Sequence, residues 1–320
     1  MIHVLGTGSV GIFLASRLSR AAKVTLLARE GSTNASAKDA PIFRMEGLES
    51  SSCRIPLREW GGNSLGEAFD PDDTFVIACK AFDLERVLHA LQPRIHSRSR
   101  IVLIQNGIGI LDQARGVLPA ARLGRLICWF GVRKTSPRVV EWAGHGAMDW
   151  AAEDPAFQSE FGQTLRAAGF TPREDTSAQQ AEWRKALMNV TLNALCAVVD
   201  APNGRILEDA GLRRAAEILL EEALAVSRAQ RVGLDEEAAR ALVWEGIQSV
   251  ARNTNSTSQD LKAGRPTEIP WLNGAMVRLG QASGVSTPAH ELIVGLVSVL
   301  EKRGIEKTLN SHLANGSHPG

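Results

Sequence analysis

Lys185, Asn189 and Asn193 stand four residues apart in a segment, 178–199, that reads as a helix. On an α-helix that spacing stacks all three side chains on one face, turn over turn. Around them lie Trp183, Ala186, Leu187, Met188, Val190, Leu192, Leu195 and Ala197, so most of this helix is expected to be buried. An ammonium and two carboxamides are costly in such a place unless something polar meets them. Either the stripe faces solvent beside ordinary capping partners, or it lines a site for a polar ligand. Spacing alone leaves the two readings level.

The other end of the chain carries the second chemical signal. Ile2-His3-Val4-Leu5 is a short apolar strand, and Gly6-Thr7-Gly8-Ser9-Val10-Gly11 follows at once. A helical repeat over 12–18 and a second strand over 24–27 complete the unit. Strand, Gly-x-Gly-x-x-Gly, helix and strand in this order is the context in which such a turn binds a dinucleotide. Gly6 permits the tight turn, Gly8 lets a pyrophosphate approach the backbone, and Gly11 lets the helix pack on the strand. The helix N-terminus then offers free amides and partial positive charge to the phosphates. A glycine turn with no ligand is the weaker reading here. At the end of the second strand an acidic residue would hold the ribose 2′-hydroxyl of NAD, whereas an arginine accommodates the 2′-phosphate of NADP. Arg29 stands there and favours NADP(H); Glu30 follows it, and a small backbone shift would exchange the two.

These groups need elements to position them. Segments 74–79 and 100–104 read as buried parallel strands, each ending in polar residues at the ligand edge of a doubly wound sheet: Lys80 after the first, Gln105-Asn106-Gly107 after the second. Residues 83–91 have a helical pattern, and 124–150 read as short strands with Gly144-His145-Gly146 as a turn. His145 is read as a solvated surface histidine rather than an acid or base. From 176 the periodicity is helical. Ala201-Pro202-Asn203-Gly204 makes a turn, and helices are expected over 212–230, 235–254 and 290–302, the last opening at Thr287-Pro288. The run Asn253 to Asp260 reads as a solvated loop, Thr267 as a helix cap with Glu268 in the first turn, and 314–320 as a disordered tail. The expected organisation is an α/β Rossmann-type N-terminal domain, 1–174, followed by an all-α C-terminal domain, 175–320.

Composition excludes other classes. The chain has 320 residues, enough for two domains, with 44% hydrophobic and 22% charged residues. A net charge of +1 gives no footprint for nucleic acid or a membrane surface. No run approaches the ~18 apolar residues that span a bilayer, and no targeting segment precedes the first strand. Cys53, Cys79, Cys128 and Cys196 are scattered, which supports neither a disulfide framework nor a metal site. A soluble protein of a reducing cytoplasm is expected.

Together these pieces resemble the ketopantoate reductase (2-dehydropantoate 2-reductase) family over nearly the whole chain. The likeness rests on Gly6 to Gly11, Arg29, Gly47-Leu48, Lys80-Ala81, Asn106-Gly107, Trp183-Arg184-Lys185 with Asn189 and Asn193, Pro202-Asn203-Gly204, Ser256, Gln259-Asp260, Thr267-Glu268-Ile269 and Asn273-Gly274. The lysine–asparagine helix combined with the Thr-Glu-Ile segment is its specific part. The resemblance implies NADPH-dependent reduction of a 2-keto acid, with 2-dehydropantoate the type substrate and pantoate the product. It makes Lys185 the general acid that protonates the ketone oxygen as hydride reaches the carbonyl carbon. Asn189, Asn193, Asn203 and Ser256 would orient the substrate, and Asn106 would touch both substrate and nicotinamide. Glu268 would accept hydrogen bonds from ligand hydroxyls and hold Lys185 charged. Gly6, Thr7, Gly8, Ser9, Val10, Gly11, Arg29 and Lys80 complete the cofactor set; no metal is implied.

The sequence also departs from the family. Cys128-Trp129-Phe130-Gly131 puts two large aromatics where small or hydroxyl residues usually stand near the nicotinamide. Trp142 and Trp150 fill positions often held by histidine and glycine, and Arg138 replaces a glycine after Pro137. The pocket shape is therefore open, and a paralogue reducing another 2-keto acid is an alternative. A dinucleotide-binding sensor without chemistry is another, but it predicts an eroded stripe, whereas Lys185, Asn189, Asn193 and Glu268 are all present. A hydride-transferring cousin such as a β-hydroxyacid or opine dehydrogenase, oxidising a hydroxy or amino acid with NAD, is a third. The oligomeric state is open, with a homodimer among the options.

Overall fold

The computed structural model describes residues 1–29, 40–60, 69–174 and 177–315, the side chains of 307–315 excepted. Glu30, the alternative to Arg29, lies outside the described residues, as do 316–320 of the expected tail. The chain forms two compact units, one of Met1–Gln105 with Gly109–Ala181 and one of Asn106–Ile108 with the residues from Glu182 onward.

The first unit runs β1 (Ile2–Leu5), α1 (Ser9–Leu18), β2 (Val24–Arg29), β3 (Ile42–Gly47), β4 (Ser51–Arg54), β5 (Leu57–Trp60), β6 (Thr74–Ile77), α2 (Leu84–Leu91), β7 (Arg100–Leu103), α3 (Ile110–Val117), β8 (Arg122–Cys128), β9 (Gly131–Ser136), β10 (Val139–Gly144), β11 (Met148–Ala152), α4 (Pro155–Ala167) and β12 (Pro172–Arg173). The main sheet has the order β12-β11-β8-β7-β6-β1-β2-β5 and is parallel except where β11 pairs with β8. From β1 the chain moves out to β2 and β5, then returns to β6 on the other side of β1. The strand order therefore reverses between β1 and β6, where open α/β sheets bind ligands.

The segment 42–60 carries three strands that its sequence pattern does not announce. Its β3 and β4 join β10 and β9 in a second sheet, order β4-β3-β10-β9, in which β3 alternates buried Phe43 and Met45 with exposed neighbours but puts the apolar Ile42 on the exposed face. Helix α1 packs against strands of both sheets, which explains why it is buried nearly all round: Ile12, Phe13, Leu14, Ala15 and Leu18 are all in the core.

The helical half contains α5 (Ala178–Val198), α6 (Arg205–Glu208), α7 (Ala210–Ala229), α8 (Glu236–Ser249), α9 (Ser256–Lys262), α10 (Asn273–Ser283) and α11 (Pro288–Asn315). Leu187, Val190, Leu192 and Leu195 of α5 share a core with Leu219, Leu220 and Leu224 of α7 and Val243 and Ile247 of α8. Two expectations change here. The polar run before residue 260 is not a loop: Asn255 Oδ1 accepts from Ser258 N at 3.0 Å and starts α9, which buries Thr257, Ser258 and Asp260. A helix whose buried face is polar has no apolar period to reveal it. Nor does an α-helix open at Thr267. Residues Ile269–Trp271, with Pro270, make a 3₁₀ turn, Thr267 Oγ1 accepts weakly from Ile269 N at 3.3 Å, and α10 begins only at Asn273.

Candidate active site

The glycine turn follows β1 directly. Gly6 has φ +128°, and a Cβ there would stand 2.6 Å from the Ala78 carbonyl oxygen; a Cβ on Gly11 would meet the Gly6 oxygen at 2.1 Å. Both positions must be glycine for helix, turn and β6 to close together. Gly8 is exposed with open space where a Cβ would stand, and it begins α1 with no side-chain cap. The first-turn amides at Ser9 and Val10 are thus left for an anion, and a dinucleotide pyrophosphate fits the turn. Arg29 is exposed at the end of β2, next to β1, and Lys80 is half-buried after β6, where its carbonyl accepts from Asp83 N.

Two residues that sequence reading missed act here. Lys134 of β9 donates from Nζ to the Thr7 carbonyl at 2.9 Å, which brings a cation to the glycine turn. Only the pairing of the second sheet with α1 could reveal it. Arg125, fully buried in β8, donates to the carbonyls of Leu103 and Gln105 at 2.9 Å each, while Gln105 Nε2 donates to the Ile77 carbonyl at 2.7 Å. This latch holds the ends of β6 and β7 together, immediately before Asn106.

Asn106 itself belongs with the helical unit. Gly107, at φ +114°, lets the chain run so close to Trp271 that a Cβ would lie 2.6 Å from the Trp271 Cβ, and Ile108 N donates to the Trp271 carbonyl at 3.0 Å. Docked on that turn, Asn106 Nδ2 donates to Glu268 Oε2 at 3.2 Å. Glu268 is buried, and Thr267 before it is clamped by Glu301, whose Oε2 accepts from Thr267 N and Oγ1 at 3.0 and 2.7 Å. Beyond the turn, Asn273 Nδ2 donates to the Val190 carbonyl at 2.8 Å, which ties the start of α10 to the part of α5 between Asn189 and Asn193. Those two amides are buried and Lys185 is half-buried.

Asn203 is drawn into the framework. Its Nδ2 donates to the Val250 carbonyl and its Oδ1 accepts from Asn255 Nδ2, both at 3.2 Å, while its backbone N donates to the Asn253 carbonyl. It therefore joins the turn after α5 to the loop that starts α9. Ser256, the first residue of α9, is half-buried beside this junction.

The aromatic departures are held within the first unit. Trp129 Nε1 donates to Asp149 Oδ2 at 2.6 Å, and Phe130 packs on Phe13, 4.9 Å between ring centres. Trp142 also meets Phe13, while Trp150 is fully buried against Phe157 and Phe161. His145 is exposed, as read from its turn. Among the described residues no group of histidine, cysteine and acidic side chains could hold a metal, and no helix is long and apolar enough to cross a membrane.

The sequence matches the family described as Ketopantoate reductase PanE/ApbA over residues 2–154, and its companion, Ketopantoate reductase PanE/ApbA C terminal, over 177–301. The chain belongs to the ketopantoate reductase family. It is 27% identical over 312 residues to a 2-dehydropantoate 2-reductase from Vibrio cholerae serotype O1, covering 94% of this chain and 98% of that one. The crystal structure of a PanE/ApbA family ketopantoate reductase from Ralstonia eutropha JMP134 matches with a TM-score of 0.82 at 26% identity, covering 95% and 99% of the two chains. A ternary structure of D-mandelate dehydrogenase with NADH and anilino(oxo)acetate shares the fold at TM-score 0.83 and 20% identity, with the same coverage. As a ketopantoate reductase family member, the protein is an oxidoreductase with a Rossmann-like sheet unit and a helical C-terminal region.

Proposed function

We propose that the protein reduces 2-dehydropantoate to pantoate with NADPH. The observation that carries this reading is the convergence of Asn106 on Glu268, with Asn273 tying the same turn to α5. One reduction joins a hydride to the carbonyl carbon and a proton to the oxygen, leaving a 2-hydroxy acid and NADP⁺. NADPH supplies the hydride. Lys185 Nζ gives the proton and, as an ammonium, stabilises the alkoxide charge that develops beforehand. Asn189 and Asn193 donate to the substrate's carboxylate and hydroxyl, and Ser256 adds a hydroxyl. Asn203 acts one step back, holding the loop that carries Ser256. Glu268 fixes Asn106 and accepts from ligand hydroxyls.

On the cofactor side, the Ser9 and Val10 amides and Lys134 would hold the pyrophosphate, Arg29 the 2′-phosphate, and Lys80 the ribose-phosphate edge. The four free cysteines suit a reducing cytoplasm. A second reading follows from the resemblance: it implies small or hydroxyl residues where Trp129 and Phe130 stand, so a paralogue acting on another 2-keto acid has a sequence argument. Purified protein mixed with NADPH and 2-dehydropantoate, followed by cofactor absorbance, separates the two when a panel of other 2-keto acids is run alongside. Turnover of 2-dehydropantoate supports the first reading; turnover of a different acid alone selects the second. No oxidation with any of them, by folded protein, removes both.

A further inference from the structure

Helix α11 turns one face inward, and that face is not wholly apolar. At about 100° per residue, His290, Ile293, Val297 and Glu301 fall on one stripe, with His290 and Glu301 about 16 Å apart along the axis. Ile293 and Val297 belong to the core of the helical unit. A histidine and a carboxylate at the two ends of such a stripe are costly unless polar groups meet them. Both meet the segment 267–273, which carries Glu268.

Glu301 holds the first end of that segment. Its Oε2 accepts from Thr267 N and Thr267 Oγ1, at 3.0 and 2.7 Å, and so fixes main chain and side chain of the residue before Glu268. His290 holds the last end. Its Nε2 lies 3.0 Å from the Leu219 carbonyl, which can only accept, so Nε2 carries the proton and Nδ1 is left as an acceptor. Asn273 Nδ2 therefore donates to Nδ1 at 3.0 Å, and with its second N–H it donates to the Val190 carbonyl of α5 at 2.8 Å. Asn273 Oδ1 is buried with no partner among the described residues. Turned over, the amide would set that oxygen against the Val190 carbonyl and the Nδ1 lone pair. His290 thus selects the way Asn273 faces, and one unsatisfied oxygen is the consequence.

Between the two anchors lies the 3₁₀ turn of Ile269–Trp271. Trp271 N donates to the Glu268 carbonyl, and the Trp271 carbonyl accepts from Ile108 N, both at 3.0 Å. Asn106, two residues before Ile108, reaches the Glu268 carboxylate. Where Glu268 stands relative to Asn106 is therefore set by how α11 holds both ends of the turn.

We infer that Glu301 and His290 are positioning residues: from one face of α11 they set the Glu268 carboxylate opposite Asn106 and seat the start of α10 against α5. The kinetic consequence rests on the proposed role of Glu268 in keto-acid reduction, whereas the positioning itself does not.

Hydrogen exchange at the Ile108 and Trp271 amides, followed by NMR on the full-length protein, reads the positioning without catalysis. Glu301→Leu and His290→Leu keep the stripe apolar and remove one anchor each. Each is expected to speed exchange at both amides at least tenfold and to leave the amides of α7 and α8 unchanged. Thr267→Val should behave like Glu301→Leu, while Thr267→Ser, which keeps the hydroxyl, and His290→Asn, which keeps an acceptor near the Nδ1 position, stay close to wild type. In turnover, Glu301→Leu should lower kcat/KM about tenfold, and Glu301→Leu with Glu268→Gln should lose no more than Glu268→Gln alone. A role in stability only predicts losses that multiply. Ile293→Val, which thins the same stripe without touching an anchor, should lower the melting temperature and leave kcat/KM unchanged. Wild-type exchange in Glu301→Leu and His290→Leu, or losses that multiply in the double variant, overturns the inference. A wild type that reduces no keto acid removes the proposed reaction instead, and faster exchange at Ile108 and Trp271 still supports the positioning.

Discussion

Asn106 and Glu268, 162 positions apart in sequence, are joined by a 3.2 Å hydrogen bond from Asn106 Nδ2 to Glu268 Oε2. The carboxylate, an acceptor only, decides which end of the amide faces it and leaves Asn106 Oδ1 and one N–H for a ligand. In the proposed reaction Glu268→Gln removes this orientation while keeping the side chain's size. The loss of one hydrogen bond to a charged group predicts a fall in kcat/KM of about tenfold to a hundredfold. NADPH affinity, read by fluorescence titration, is expected to change far less. Unchanged turnover would remove Glu268 from the site.

Two cations near the first unit's glycine turn make separable predictions. Arg29→Ala should lower kcat/KM with NADPH by about tenfold to a hundredfold and alter that with NADH little, because only NADPH carries the 2′-phosphate. Lys134→Ala should weaken both cofactors alike, since its ammonium lies at the Thr7 carbonyl, where the shared pyrophosphate would sit. Cofactor titrations with each variant decide. If Lys134→Ala spares NADH, Lys134 does not serve the pyrophosphate.

Asn203→Ala should act on stability first. It leaves the Val250 carbonyl and Asn255 Nδ2 without their partner in a buried junction, a cost of about 1–3 kcal/mol in urea unfolding. Loss of turnover through kcat with no loss of stability would instead make Asn203 a direct substrate ligand.

Stability should also depend on pH through His290. Burial pushes its pKa down from 6.5 to about 4, although its Nε2 donates to the Leu219 carbonyl. The unfolded chain therefore takes up the proton first. Stability from this group is complete above pH 6.5, falls as pH drops towards 4 and is flat below. The full span is about 3 kcal/mol. His3, also pushed down by burial, contributes with the same sign. Urea unfolding between pH 7 and 4 should therefore show a shallower slope for His290→Asn than for wild type; equal slopes would contradict the assignment.

The parts of the molecule that were legible in the sequence are those where local pattern and burial agree. The glycine turn, the two strands that end in Lys80 and Gln105, and α5 carry their own periodicity and end in their own turn residues. The small sheet was not legible because β3 and β4 acquire partners from β10 and β9, far along the chain. Helix α9 was hidden because its buried residues Thr257, Ser258 and Asp260 are polar and Asn255 and Arg265 hold it by hydrogen bonds. Lys134 and Arg125 were hidden because a lysine on an exposed strand and an arginine inside an apolar one take their meaning from carbonyls distant in sequence. Lys185, Asn189 and Asn193 were singled out by type and spacing and Glu268 by the family resemblance, whereas the route from Glu268 to α5 through Asn273 needed coordinates.

In the proposed reaction the Lys185 ammonium protonates the carbonyl oxygen. Lys185→Ala, measured under saturating NADPH with the best keto acid from the panel, tests it most directly. A loss of about a hundredfold to ten-thousandfold in kcat, typical of removing a general acid, is expected, with NADPH affinity within a few-fold of wild type. A variant that turns over as fast as wild type would show that the proton comes from elsewhere.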